Sequence, residues 1–213
     1  MEKTILCFGD SNTWGWIPGT DGERFDSNTR WTRLLAKKLG AGYNVVEMGQ
    51  NGRTTVLDDP VELEKNGYKQ ILPAMDCASP LDTVIIMLGT NDCKERFGGN
   101  GFSIAISIGR VACKAKQTQL GVNGASPRVI IVNPAHIRDT YLLDDVTRPA
   151  FGDGAAERSR DIGKYLPAIA AKWNCDYMDA NEYVHTSDIE GVHLPADQHA
   201  LLAEAIYQKL ISL

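Results

Sequence analysis

Apolar residues along this chain come in short runs rich in Val, Ile and Leu, at 4–8, 43–48, 83–88 and 129–132, with a weaker run at 176–178. Runs this short and without polar alternation predict strands buried on both faces, the pattern of a parallel sheet. Between them the apolar spacing changes to three and four residues: Trp31, Leu34, Leu35 and Leu39 ahead of Gly40; Ile104, Ile108, Val111 and Ala115; Ile162, Leu166, Ile169 and Trp173. These stretches predict amphipathic helices. A last helix carries Leu202, Ile206 and Leu210 on one stripe, with Pro195 suited to its first turn. Strand and helix in alternation imply a three-layer α/β/α sandwich with a central parallel sheet. No repeat, low-complexity tract or linker divides residues 1–213, so one domain is expected.

In an open parallel sheet, ligands bind beyond the carboxyl ends of the strands. Here the runs are followed by Gly9-Asp10-Ser11-Asn12, Gly49-Gln50-Asn51-Gly52, Gly89-Thr90-Asn91-Asp92 and Asn133-Pro134. Small and polar groups therefore gather at one edge.

Composition narrows what those groups can do. The chain is 43% hydrophobic and 23% charged, with a formal charge of −5, the balance of a globular protein with a sizeable core. It lacks the basic face that a nucleic-acid partner requires. No apolar run is long enough to span a membrane or to form a signal-peptide core, so no membrane partner is expected and a cytoplasmic location is. The five cysteines are odd in number and scattered, with no C-x-x-C pair, which argues against both a disulfide framework and a zinc site.

Acyl transfer through serine needs a nucleophile, an imidazole base, a carboxylate to orient that base, and fixed donors where the oxyanion forms. Ser11 follows the first strand among small residues that permit a tight turn, a position that would serve equally as a helix N-cap. Among the four histidines, His193 stands out because Glu190 precedes it by three residues, with Gly191 between to allow a turn. His199 falls on the second turn of the last helix, where a packed or surface role is expected, and His136 and His185 have no comparable partner. No metal-ligand spacing such as H-E-x-x-H occurs, so no metal is expected. The N–H groups of Ser11 and Gly52 and the side-chain amide of Asn91 can converge as oxyanion donors, although Gly52 and Asn91 also read as ordinary turn residues.

Ser11 in Gly-Asp-Ser, Gly52 in Asn51-Gly52-Arg53-Thr54, Asn91 in Gly89-Thr90-Asn91-Asp92 and His193 in the last block give the chain its resemblance to the SGNH (GDSL-type) hydrolases. Within them it is most similar to the bacterial arylesterase and acyltransferase branch. That likeness rests on Trp14-Gly15-Trp16, Glu23-Arg24-Phe25, Arg30-Trp31-Thr32, Arg53-Thr54-Thr55, Asp58-Asp59-Pro60 and 84–94. The resemblance implies a serine esterase for short-chain acyl esters with Ser11, Glu190 and His193 as triad, no cofactor, and a small ester plus water or an alcohol as partners. It also implies transesterification and perhydrolysis, and a homo-oligomer, for which an octamer is one form.

Two positions depart from the family pattern. Glu190 stands where Asp is usual, and Asp188, two residues earlier, is a second candidate acid. Asn12 stands where an apolar residue is common, and it is grouped with Trp14 and Trp16 as a candidate wall of the substrate site. Two other functions fit the same residues: an O-deacetylase of acetylated sugars, and a non-catalytic ligand binder on the same fold, for which no phosphate-binding signature is present.

Overall fold

The computed structural model describes residues 2–212. Five parallel strands, β1 (Lys3–Gly9), β2 (Tyr43–Gly49), β3 (Thr83–Met87), β4 (Arg128–Asn133) and β5 (Asp176–Asp179), form one sheet in the order β2-β1-β3-β4-β5. Each coincides with a predicted run to within a few residues. Alternate residues of a strand point to opposite faces, and both faces are covered. On one face Ile5, Cys7, Ile85, Met87, Ile130 and Val132 pack with Trp31, Leu35, Leu202 and Ile206. On the other, Leu6, Phe8, Val84, Ile86, Val129 and Ile131 pack with Ile71, Met75, Ile104, Ile108 and Ile169.

Eight helices are assigned among the described residues: α1 (Ser11–Trp14), α2 (Trp31–Leu39), α3 (Gly67–Ala78), α4 (Gly101–Lys116), α5 (Thr147–Phe151), α6 (Ala155–Ile162), α7 (Leu166–Lys172) and α8 (Ala196–Ile211). None is long and apolar enough to cross a membrane. Helices α2 and α8 lie on the first face of the sheet; α3, α4, α6 and α7 lie on the second. A proline normally excludes a helix interior because it removes a ladder hydrogen bond, yet α3 carries Pro73. It is held by an Asn66 side-chain cap on the Lys69 N–H and by burial of Ile71, Ala74 and Met75. The stretch expected as one helix through Ile162 and Trp173 is instead two, α6 and α7, separated at Gly163–Tyr165. Pro195 caps α8 from just outside rather than sitting in its first turn.

This architecture places the site. Strand β1 lies between β2 and β3, so the loops leaving those three strands are neighbours. The loop before α8 arrives from beyond β5, at the far edge.

Candidate active site

Ser11 opens α1 directly after β1 and is 5% exposed. Asp10 caps this single turn by accepting the Asn12 N–H at 3.0 Å. Ser11 Oγ lies 2.9 Å from His193 Nε2, across 182 residues of sequence. On the opposite side of the ring, His193 Nδ1 is 2.7 Å from Glu190 Oε2. A hydroxyl, an imidazole and a carboxylate thus form one hydrogen-bonded line.

Local geometry explains why the four-residue segment Glu190–His193 delivers both groups. Gly191 has φ of +71°, and a Cβ there would run into the Arg138 carbonyl and the Tyr141 N–H. The tight turn lets Glu190 Oε1 accept the N–H of Val192 (3.1 Å) and of His193 (2.6 Å), leaving Oε2 for the ring. Burial pushes the Glu190 carboxyl up, but the bonds from the His193 ring and from these N–H groups outweigh it and hold it below the usual carboxylate range. Glu190 is therefore ionised and fully committed. Asp188 does not belong to this line: its carboxylate pairs with Arg138 at 2.8 Å, with its side chain 73% exposed.

Gly52 and Asn91 come to the same edge from the flanking strands. Gly52 has φ of +77°, a conformation that favours glycine, and the Glu62 carboxylate lies where a Cβ would stand. Among the described residues, no protein acceptor takes the N–H of Ser11 or of Gly52. One N–H of the Asn91 amide donates to the Arg53 carbonyl at 3.1 Å, which leaves the other available. Asp92 accepts from the Thr55 N–H (3.0 Å) and hydroxyl, so the β3 loop clamps the segment that carries Gly52. Burial pushes the Asp92 carboxyl up to about 7.

The aromatic residues divide. The Trp16 indole stacks on the His193 ring, with centroids 5.2 Å apart and planes 17° apart. Trp14 stands one ring further out, 6.3 Å from Trp16, beneath the Arg24 guanidinium. Asn12 does not line a substrate wall. It is 3% exposed, and its amide is turned to the backbone on either side of His193.

Two groups were not foreseen. Arg53, buried against the Phe8 ring at 4.1 Å, donates to the carbonyls of Gly9 (2.6 Å) and Met48 and so ties together the ends of β1 and β2. Burial lowers its guanidinium to about 10, and it stays charged at neutral pH. Lys94, almost fully buried, meets Glu62 at 2.5 Å, and Arg96 meets both Glu62 (3.1 Å) and Asp59 (2.5 Å). This charged network backs the Gly52 loop. A single Arg among small residues was the only signal in the sequence for the first group; nothing local announced the second.

The model of the GDSL-like lipase/acylhydrolase family matches residues 7–201. No curated protein matches the chain. Among solved structures, Est24, a carbohydrate acetylesterase from Sinorhizobium meliloti, is 35% identical over 99% of both chains, with a TM-score of 0.93. The native aryl esterase of M. smegmatis is 33% identical, again over 99% of both chains, with a TM-score of 0.89. A carbohydrate acetylesterase family member from Sinorhizobium meliloti is 29% identical over 99% of this chain and 98% of its own, at 0.90. A match that takes in the Ser11, Gly52, Asn91 and His193 segments in order, on a sheet superposing this closely, leaves one conclusion: the chain belongs to the GDSL-like lipase/acylhydrolase family, the SGNH hydrolases, and is a carboxylic ester hydrolase of that family.

Proposed function

We propose that the chain hydrolyses short-chain acyl esters of aryl and alkyl alcohols through a Ser11–His193–Glu190 triad, and that its acyl-enzyme also passes the acyl group to alcohols or to hydrogen peroxide. The hydrogen-bonded line from Ser11 Oγ to His193 Nε2 and from Nδ1 to Glu190, at 2.9 and 2.7 Å, carries this reading. His193 takes the Ser11 proton as Oγ attacks the ester carbonyl. The N–H groups of Ser11 and Gly52 and the free N–H of Asn91 receive the oxyanion. His193 then gives its proton to the leaving alcohol, and water or a second acceptor releases the acyl group by the same steps in reverse order.

The transfer reaction rests on Trp16. An acceptor competes with water only where the site holds few ordered waters and offers an apolar surface, and the indole covering the His193 ring supplies one. A second reading, removal of acetyl groups from sugars, is favoured by the 35% identity to a carbohydrate acetylesterase. All five cysteines are free thiols, which fits a reducing compartment, and we place the protein in the cytoplasm. A homo-oligomer, an octamer among its forms, is supported by Val61, Leu63, Leu143, Val146 and Ile189, large apolar side chains exposed on loops beyond the strand ends.

The test uses vinyl acetate with benzyl alcohol in mostly aqueous buffer, beside an acetylated sugar. Ester product forming faster than acid at early times supports transfer, and Trp16→Ala shifts products toward acid. Acetate as sole product refutes the transfer step, and preference for the acetylated sugar selects the second reading. Ser11→Ala loses on the order of 10³-fold or more in turnover, and a folded Ser11→Ala protein with near-normal rate refutes the triad.

A further inference from the structure

Ser11 and His193 lie 182 positions apart and sit on separate elements, α1 and the loop before α8, so something must fix the distance between them. The residue after the nucleophile is in place to do so. The Asn12 side-chain Nδ2 donates to the Val192 carbonyl at 3.2 Å, and its Oδ1 accepts the Leu194 N–H at 2.9 Å. One planar amide thus grips the backbone immediately before and immediately after His193. The main chain of Asn12 is held as firmly: its N–H donates to Asp10 Oδ1 at 3.0 Å, and its carbonyl accepts from Trp31 Nε1 at 3.2 Å. Trp31 in turn donates its own N–H to His199 Nδ1 on α8, at 3.3 Å. Every polar atom of Asn12 is used, and none faces a substrate.

We propose that Asn12 is a positioning residue that docks the Glu190–His193 loop onto the nucleophile's helix and sets the Ser11–His193 distance. This rests on the triad reading given above. The internal bonds of the loop do not involve Asn12, since Glu190 bonds only within 190–193 through its carboxylate. Without the Asn12 amide, the Glu190–His193 pair stays assembled but drifts as a unit relative to Ser11. An apolar side chain at position 12 can make neither bond.

Asn12→Leu removes both bonds while keeping the branch point and the number of side-chain heavy atoms. A displacement of the order of 1 Å between base and nucleophile costs about 10- to 100-fold in kcat, with KM within about twofold of wild type. In the same variant the Leu194 amide exchanges its hydrogen faster. The downfield Nδ1 proton resonance of His193 persists, because its carboxylate partner moves with it. Asn12→Asp, which keeps the acceptor for Leu194 and loses the donor to Val192, provides a second variant should Asn12→Leu not fold; it retains Leu194 protection and still loses kcat. Wild-type kcat in a folded Asn12 variant overturns the proposal, as does a kcat loss no larger than the loss of folded protein. A rise in KM alone also overturns it and returns Asn12 to the substrate wall. Ser11→Ala separates the two levels: if that variant turns over normally the triad itself fails, whereas an inactive Ser11→Ala beside a fully active Asn12→Leu removes only the positioning role.

Discussion

His199 gives the protein a pH dependence of stability that can be worked out before it is measured. The ring is fully buried on α8; Nδ1 accepts the Trp31 N–H at 3.3 Å, and the edge of Phe25 lies against it. Among the described residues, Nε2 has no protein partner. Burial above all, with the nearby Arg30 guanidinium adding to it, lowers its pKa to about 4. In the unfolded chain it titrates near ~6.5. The unfolded state therefore binds the extra proton between these two values, so the stability that neutral His199 contributes is intact above pH ~6.5 and is lost as pH falls through the folded value. The difference of about 2.5 units amounts to about 3 kcal/mol in full, and about 2 kcal/mol of it is gone by pH ~5.

Asp92 acts in the opposite sense. Its folded pKa is raised to about 7, so its contribution is present in acid and is lost as pH rises through that value. A comparison with His199→Gln, which does not titrate, cancels that background. Urea unfolding of both proteins at pH 7.5, 6 and 5, at one protein concentration, should show wild type losing about 2 kcal/mol relative to the variant across the range. A difference that stays flat with pH refutes the argument that burial keeps His199 neutral.

Other expectations test the site itself. Asn91→Ala removes a donor aimed at charge present only in the transition state and should lower kcat by roughly 10² to 10³-fold with little change in KM; a rise in KM alone would make Asn91 a substrate-binding or turn residue. Glu190→Gln should cost at least about 10²-fold in kcat/KM, while Asp188→Asn, at an exposed pair with Arg138, should stay within about twofold; the reverse ranking in a simple aryl acetate assay would transfer the orienting role. Light scattering at micromolar concentration should give a multiple of the chain mass, and a monomer would remove the proposed assembly.

What could be read from the sequence followed the range of the interactions. The strands were legible because burial on both faces writes itself into consecutive residues, as in Thr83–Met87. Glu190 and His193 were legible as a pair because their contact spans three residues and turns on one glycine. Helix α3 was hidden by Pro73, whose local preference is overridden by packing of Ile71 and Met75 on the sheet. Asn12 was misplaced for the opposite reason: nothing near it in sequence says that its amide will meet a backbone 180 residues away. The Asp59, Glu62, Lys94 and Arg96 network was equally silent, since each member is an ordinary charged residue until the loops after β2 and β3 adjoin.

Strand order has a further consequence. Ser11, Gly52 and Asn91 leave three adjacent strands, β1, β2 and β3, whereas the base and its carboxylate hang from a segment tied in by α8 and by the amide of Asn12. The catalytic apparatus therefore comes in halves of different cohesion. The half that stabilises charge shares the fate of the central sheet, and the half that moves protons shares the fate of the chain's last helix. Loosening of α8 would reach the proton-moving half directly, through the loop that leads into it, and the charge-stabilising half only through the strand faces that Leu202 and Ile206 cover.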